Sequence, residues 1–208
     1  MGGYFITFEG GEGSGKSTQL ARLADYLEGK GLSVVRTREP GGTRLADRIR
    51  GLILNPSVRE APMNPKTELF LYLASRAQHI AEVIRPALAA GKLVLCDRFT
   101  DATLAYQGAG RGLPKQAVGE MVRFASEGMD PDLTLLLQLD IKTALARLKG
   151  RGEINRLDEE NFAFHEAVQD AYAALARAHP KRIVVIDADD SIEAVFAKIR
   201  ERIDAFLS

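Results

Sequence analysis

The sequence predicts an α/β fold: a five-stranded parallel sheet with helices on both faces. Three observations carry that reading. Strand-like and helix-like segments alternate from end to end. Leu133 to Leu139 is nearly continuously apolar, as a strand covered on both faces must be. Finally, Gly10-Gly11-Glu12-Gly13-Ser14-Gly15-Lys16-Ser17 fits the phosphate-binding loop G-x-x-x-x-G-K-[ST] and stands where a strand should turn into a helix.

The first element, Tyr4-Phe5-Ile6-Thr7-Phe8, is β-branched and aromatic and reads as a buried strand. In the loop after it, glycines let the backbone aim several N–H groups at phosphate oxygens. Lys16 is placed to reach the β- and γ-phosphates, and the Ser17 hydroxyl to ligand Mg²⁺. Leu20, Leu23, Ala24 and Leu27 follow at helical spacing, so a helix N-terminus adds its positive end. The plain alternative, a glycine turn without ligand, does not explain these flanks.

Leu32 to Val35 reads as the second strand. Arg44 to Leu54 is helical, with Leu45, Ile49, Leu52 and Ile53 on one side. A proline-rich connection runs from Asn55 to Pro65. A long helix is expected from about Lys66 to Ala90, bent near Pro86. Leu93 to Cys96 is the third strand. Lys115 to Glu127 is helical, and Leu133 to Leu139 is the fourth strand. Helical stretches begin at Lys142 and Glu159, Arg182 to Ile186 is the fifth strand, and Ile192 to Phe206 closes the chain as a helix. Neither an internal repeat nor a low-complexity segment interrupts the series.

With 208 residues, a single domain over 1–208 is expected. A formal net charge of zero offers no footprint of a nucleic-acid or anionic-membrane binder. No apolar run approaches a membrane span, and no basic-then-apolar leader opens the chain. The one cysteine, Cys96, lies in an apolar run, which favours a buried strand residue over a reactive thiol and a reduced, cytoplasmic setting.

Ligands of such sheets bind outside the carboxyl ends of the strands, and polar residues cluster there. Arg38-Glu39-Pro40-Gly41-Gly42-Thr43 follows the second strand, and Asp97-Arg98 the third. Asp97 is placed to hold Mg²⁺ through water, and Arg98 offers a planar fork for a second phosphate. Their alternative is an exposed ion pair at a strand end. Arg147, Lys149, Arg151 and Arg156 share a glycine-containing stretch that reads as either a closing basic segment or a solvated loop. Tyr72 and Arg76 are one helical turn apart and can face a nucleobase together, although spacing alone favours a core tyrosine and a surface arginine. Thr103, Tyr106 and Gln107 precede Gly108-Ala109-Gly110-Arg111-Gly112, whose glycines suggest a turn or a close approach. His79, His165 and His179 lack metal spacing and read as ordinary helix residues.

Taken together, FEGGEGSGKSTQ (8–19), TREPGGT (37–43), Tyr72 with Arg76, CDRFTDATLAYQGAGRG (96–112), PDLTLLL (131–137) and RLKGRGEINRLD (147–158) resemble the bacterial thymidylate kinases. The resemblance spans nearly the whole chain. It implies a three-layer α/β/α P-loop kinase fold with strand order 2-3-1-4-5, a homodimer, a mobile lid at about 147–158, and transfer of the γ-phosphoryl of MgATP to dTMP. It places ATP on Gly10, Gly11, Glu12, Gly13, Ser14, Gly15, Lys16, Ser17 and Thr18, with Arg147 near the adenine nucleotide. Mg²⁺ falls to Ser17 and Asp97.

For dTMP the resemblance implies Glu12 near the 3′-hydroxyl, Glu39 and Pro40 beside the site, and Arg50 and Arg98 on the phosphate. Tyr72 would stack on thymine, where the family often has Phe. Arg76, Thr103 and Gln107 would meet the thymine edge, and Tyr106 the sugar 2′ position. Eukaryotic-type members carry a catalytic arginine in the loop where this chain has Gly13. Arg151 is therefore the expected transition-state arginine, acting with Lys16, Asp97 and Arg98. A GTPase-like switch would require an N-K-x-D motif, which is absent. A same-fold kinase of an uncharged acceptor is disfavoured by the second phosphate arginine, Arg98.

Overall fold

The computed structural model of the protein describes residues 3–54, 63–149, 157 and 160–208. Among them, β1 (Phe5–Glu9), β2 (Val34–Arg38), β3 (Leu93–Asp97), β4 (Leu133–Gln138) and β5 (Ile183–Asp187) form one sheet in the order β2-β3-β1-β4-β5. Every pairing is parallel, with Phe8 opposite Asp97 and Leu135. The strand order implied by the resemblance is therefore present.

Alternation along β1 decides what each face does. Ile6 and Phe8 point to one face, where α1 (Lys16–Gly29) and α9 (Ile192–Leu207) cover them. Leu23, Leu27, Ile199 and Ile203 are completely buried there. Each such side chain contributes about 1.5–3 kcal/mol of hydrophobic stabilisation. The opposite face of β1 carries Phe5, Thr7 and Glu9. Phe5 packs with Ile80, Ile84 and Phe99, while Thr7 hydrogen-bonds Thr134 at 2.8 Å. A buried glutamate on this face has no place in a purely structural strand, and its partners lie at the site described below.

The long helix appears as α3 (Pro65–His79), a π-helical turn (Ile80–Ile84) and α4 (Arg85–Ala89). Pro86 supplies no N–H, and the extra residue of the π turn, where Arg85 N reaches Ile80 O, carries the helix past it. Asn64 caps α3 by accepting from Lys66 N at 2.9 Å; Asn161 and Ser191 cap α8 (Phe162–Ala178) and α9 in the same way.

Two local readings change in the structure. The second strand begins at Val34 and extends to Arg38. Its polar half, Arg36-Thr37-Arg38, hid it, because an edge strand can leave such side chains in solvent. Arg36 reaches back to Asp25 and Glu28 of α1 at 2.7 and 2.6 Å. Further on, Gly108 and Gly110 do not form a turn. α5 (Thr100–Thr103) continues as a second π-helical segment, Leu104–Gly110. A Cβ on Gly110 would lie 2.6 Å from the Phe164 ring, so close packing against α8 is what excludes a side chain.

The remaining helices are α2 (Arg44–Leu54), α6 (Lys115–Ala125) and α7 (Ile141–Lys149). Among the described residues no helix is long and apolar enough to cross a membrane.

Candidate active site

The carboxyl ends of β1, β2 and β3 open onto one cavity of about 510 Å³. Glu12, Lys16, Ser17, Thr18, Glu39, Pro40, Arg50, Tyr72, Asp97, Arg98 and Arg147 all border it. A narrower recess adjoins it, sharing Glu39, Tyr72 and Arg98, and adds Arg76, Thr103, Tyr106 and Gln107. Arg151, Arg156 and most of 147–158 lie outside the described residues.

The phosphate loop is shaped by the requirement that backbone face inward. Gly15 caps α1 with φ 88°, a left-handed value that favours glycine. Gly13 has φ 73°, and a Cβ there would meet Ala144 O of α7 at 2.6 Å. Lys16 Nζ donates to Gly11 O at 2.7 Å and lies 3.3 Å from Ser14 Oγ. Burial, and then repulsion from Arg98, push its pKa down to about 8 against the opposing pull of Glu12, Asp97 and Glu9. Ser17 Oγ donates to Asp97 Oδ2 at 2.6 Å, which brings two hard oxygen ligands together at the loop.

Arg98 has φ 71°, unusual for a residue with a side chain. The carboxylate of Glu9 holds that turn: its Oε1 accepts from Phe99 N at 2.7 Å, and its Oε2 from Tyr172 OH at 2.7 Å. Burial first, and Asp101 second, push the Glu9 carboxyl above the usual carboxylate range. The strain thereby aims the Arg98 guanidinium into the cavity mouth. Its Nη1 donates to Gly10 O at 3.0 Å, and its Nη2 to Glu12 Oε1 at 2.6 Å and Tyr106 OH at 3.0 Å. Burial opposes the charge, but Glu12, Tyr106, Tyr172 and Asp97 outweigh it and keep the pKa above the ordinary arginine value. Arg50 donates to Pro40 O at 3.0 Å; burial and then Arg38 lower its pKa.

The spacing-favoured picture of a surface Arg76 is reversed. Its side chain is 1% exposed, deeper than half-buried Tyr72. Nε donates to Glu39 Oε2 at 2.8 Å, and Nη2 to Phe99 O and Thr103 Oγ1 at 2.9 and 3.0 Å. Nη1 is buried without a partner among the described residues. A buried guanidinium donor left open beside a recess calls for an acceptor on whatever enters. Glu39 is itself held by His79, whose Nδ1 lies 3.1 Å from Oε1 and whose Nε2 lies 2.6 Å from Thr37 Oγ1. Hence His79 is a buried link behind the site, not the ordinary helix residue expected. Glu39 and Thr103 meet Arg76 directly.

Sequence reading also passed over Glu9, Tyr172 and Glu68. The only signal for Glu9 was a carboxylate at the end of an apolar strand. Cys96 is fully buried; its thiol donates to Arg98 O at 3.0 Å, and burial raises its pKa. It is the packed strand residue expected. Among the described residues no three His, Cys, Asp or Glu gather as a metal cluster, and His165 Nε2 lacks a partner.

Comparison with known proteins agrees on one family. The thymidylate kinase family model matches residues 8–199. A thymidylate kinase of Pseudomonas putida (strain GB-1) is 52% identical over 207 residues, covering 100% of this chain and 96% of its own. That of Desulfovibrio desulfuricans is 49% identical over 210 residues, covering 98% and 96%. The crystal structure of thymidylate kinase from Ehrlichia chaffeensis superposes with a TM-score of 0.77 at 32% identity, covering 98% of this chain and 99% of that one.

Proposed function

The chain belongs to the thymidylate kinase family, and on that premise we propose how its residues move the γ-phosphoryl of ATP onto dTMP to give dTDP. The observation that carries the reading is a cavity bordered by the phosphate loop, Arg50 and Arg98, with Arg98 bonded to the loop's Gly10 and Glu12, and an adjoining recess lined by Arg76, whose Nη1 donor is open.

Loop N–H groups and Lys16 hold the donor phosphates, with Gly10 to Thr18 along them and Arg147 beside the adenine nucleotide. Arg147 Nη1 is 3.5 Å from Ala188 O at the end of β5, which supports that place. Ser17 and Asp97 fit Mg²⁺ as a small oxygen donor set and would hold it there, where it would supply charge neutralisation for the donor phosphates. Phosphoryl transfer through a loose transition state asks mainly for alignment and charge stabilisation, and these residues provide both.

At the acceptor end, the dTMP phosphate takes the Arg98 fork from Glu12, and Arg50 joins it. The Glu12 carboxylate, released, accepts from the sugar 3′-hydroxyl. Tyr106 closes the 2′ side and Tyr72 stacks on the ring. Arg76 Nη1 donates to thymine O4, while the Gln107 amide oxygen accepts from N3–H. Glu39 and Thr103 keep Arg76 aimed, and Pro40 flanks the phosphate. A lid at about 147–158 closes over the donor and brings Arg151 to the transferring group.

Two expectations follow for the acceptor site. Arg98→Ala weakens dTMP far more than ATP, by on the order of 2–5 kcal/mol, since a charged bidentate contact is lost. Titration calorimetry with each nucleotide reads it; equal losses would make Arg98 a general structural residue. Cytosine sets an amine against the Arg76 donor and an acceptor against the Gln107 oxygen. dTMP should therefore exceed dCMP in kcat/KM by about 10³-fold or more. Comparable values would sink the base assignment, and turnover of thymidine in place of dTMP would favour the uncharged-acceptor kinase.

We also propose a homodimer in the cytoplasm. Phe70 on α3 and Phe124 on α6 are 56% and 87% exposed, which supports a further surface to cover. Sedimentation equilibrium at a single-chain mass of 22.7 kDa would contradict the dimer, and recovery in a membrane fraction the location.

A further inference from the structure

Gln107 can read a base only if its amide points one way. A glutamine amide has an acceptor at one corner and two donors at the other, and a half-turn exchanges them. Here Gln107 Nε2 donates to Glu68 Oε1 at 2.7 Å. Glu68 belongs to α3 and is completely buried. Arg111 clamps it: Nε lies 3.2 Å from both carboxylate oxygens, and Nη2 lies 3.1 Å from Oε2. The same guanidinium lies over the Phe164 ring at 4.8 Å and pairs with Glu160 at 2.6 Å.

A carboxylate paired with a guanidinium accepts hydrogen bonds and donates none. Turning the Gln107 amide over would press its oxygen against a buried carboxylate oxygen. That arrangement forfeits a charge-assisted hydrogen bond and leaves an acceptor unpaired away from water. Only one orientation survives, and it leaves Oε1 for the recess that Gln107 lines with Arg76.

We infer that Glu68 is a positioning residue for base selection, locking Gln107 with its acceptor toward the substrate so that a pyrimidine carrying N3–H is accepted and one with a bare N3 is refused. This role rests on the reading that Gln107 meets N3 of the base. The choice is then made one residue further back, by a side chain that touches no substrate atom.

The test compares kcat/KM for dTMP with that for the 5-methylpyrimidin-2-one deoxynucleoside 5′-monophosphate. That analogue has an acceptor at N3 and only hydrogen at C4, so the Arg76 contact to O4 is lost equally in wild type and variant and cancels when their ratios are compared. In Glu68→Gln the new amide can donate as well as accept, and Gln107 is free to turn. The preference for dTMP should fall by about 10- to 100-fold, with the ATP KM unchanged. A merely structural role for Glu68 would lower both substrates together and leave their ratio intact, which would overturn the inference. Gln107→Ala separates the two levels. If it leaves the ratio intact, the base-reading role of Gln107 fails; if it collapses the ratio while Glu68→Gln does not, only the positioning role fails. Should Glu68→Gln not fold, NMR of the wild-type enzyme with dTMP tests the contact on which the lock depends. Gln107 side-chain amide protons should show nuclear Overhauser contacts to the Glu68 Cγ protons, and their absence overturns the proposal.

Discussion

Lys16→Ala lowers kcat by about 10²- to 10³-fold or more and leaves the fold intact. The rate effect follows from removing a preorganised cation from oxygens on which charge develops. The stability half follows from burial. Lys16 is 6% exposed, and desolvation depresses its pKa to about 8. A group whose charged form is disfavoured in the folded state costs stability wherever the unfolded chain keeps it protonated. Alanine removes that cost, so the melting temperature should not drop. The same shift gives a pH signature. Donor phosphates favour the protonated amine, so the complex holds a proton that the free enzyme loses above about pH 8. ATP affinity should be full below that value and decline as pH rises through it, with proton uptake on binding. Calorimetry in buffers of different ionisation enthalpy reads this directly, and Lys16→Ala should abolish it. A folded variant with near-normal kcat would remove Lys16 from the phosphates.

Arg151→Ala lowers kcat by roughly 10³-fold or more, as for other transition-state arginines, with little change in dTMP affinity. The reason starts at Gly13. Its φ of 73° and the 2.6 Å approach of a Cβ to Ala144 O leave no room for an arginine in the loop. Charge on the transferring group must then be met from elsewhere, and α7, which the basic stretch follows in sequence, packs against that same glycine. An arginine that arrives only on closure acts on kcat; one bound equally to ground and transition states would act on KM alone. Arg151→Lys should rescue only in part, because a point charge lacks the planar fork. If Arg151→Ala raises only the ATP KM, Arg156 or Lys149 becomes the better candidate.

The fold was legible because its strands are mostly apolar and its phosphate loop is contiguous. β2 was misplaced where Arg36 and Arg38 break the apolar run at the sheet edge. Site residues next to strand ends, such as Asp97 and Arg98, announce themselves by position. What sequence does not reveal is which polar side chain is buried. Arg76 looked like a surface residue because helical spacing says nothing of the carboxylate that will meet it; Glu39 arrives from another strand end, 37 positions away. Glu9 and Glu68 were passed over, and His79 was read as an ordinary helix residue, for the same reason. Each acts through a partner distant in sequence: Phe99 N, Gln107 and Glu39 respectively.

Everything proposed for this site depends on its passing a phosphoryl group from ATP to the phosphate of dTMP. Phosphorus-31 NMR of the purified enzyme with ATP, Mg²⁺ and dTMP follows every phosphate at once. The dTMP monoester signal should be replaced by the two coupled signals of dTDP, one equivalent for each ADP formed. ATP consumed to ADP and free inorganic phosphate, with dTMP unchanged, would contradict that transfer.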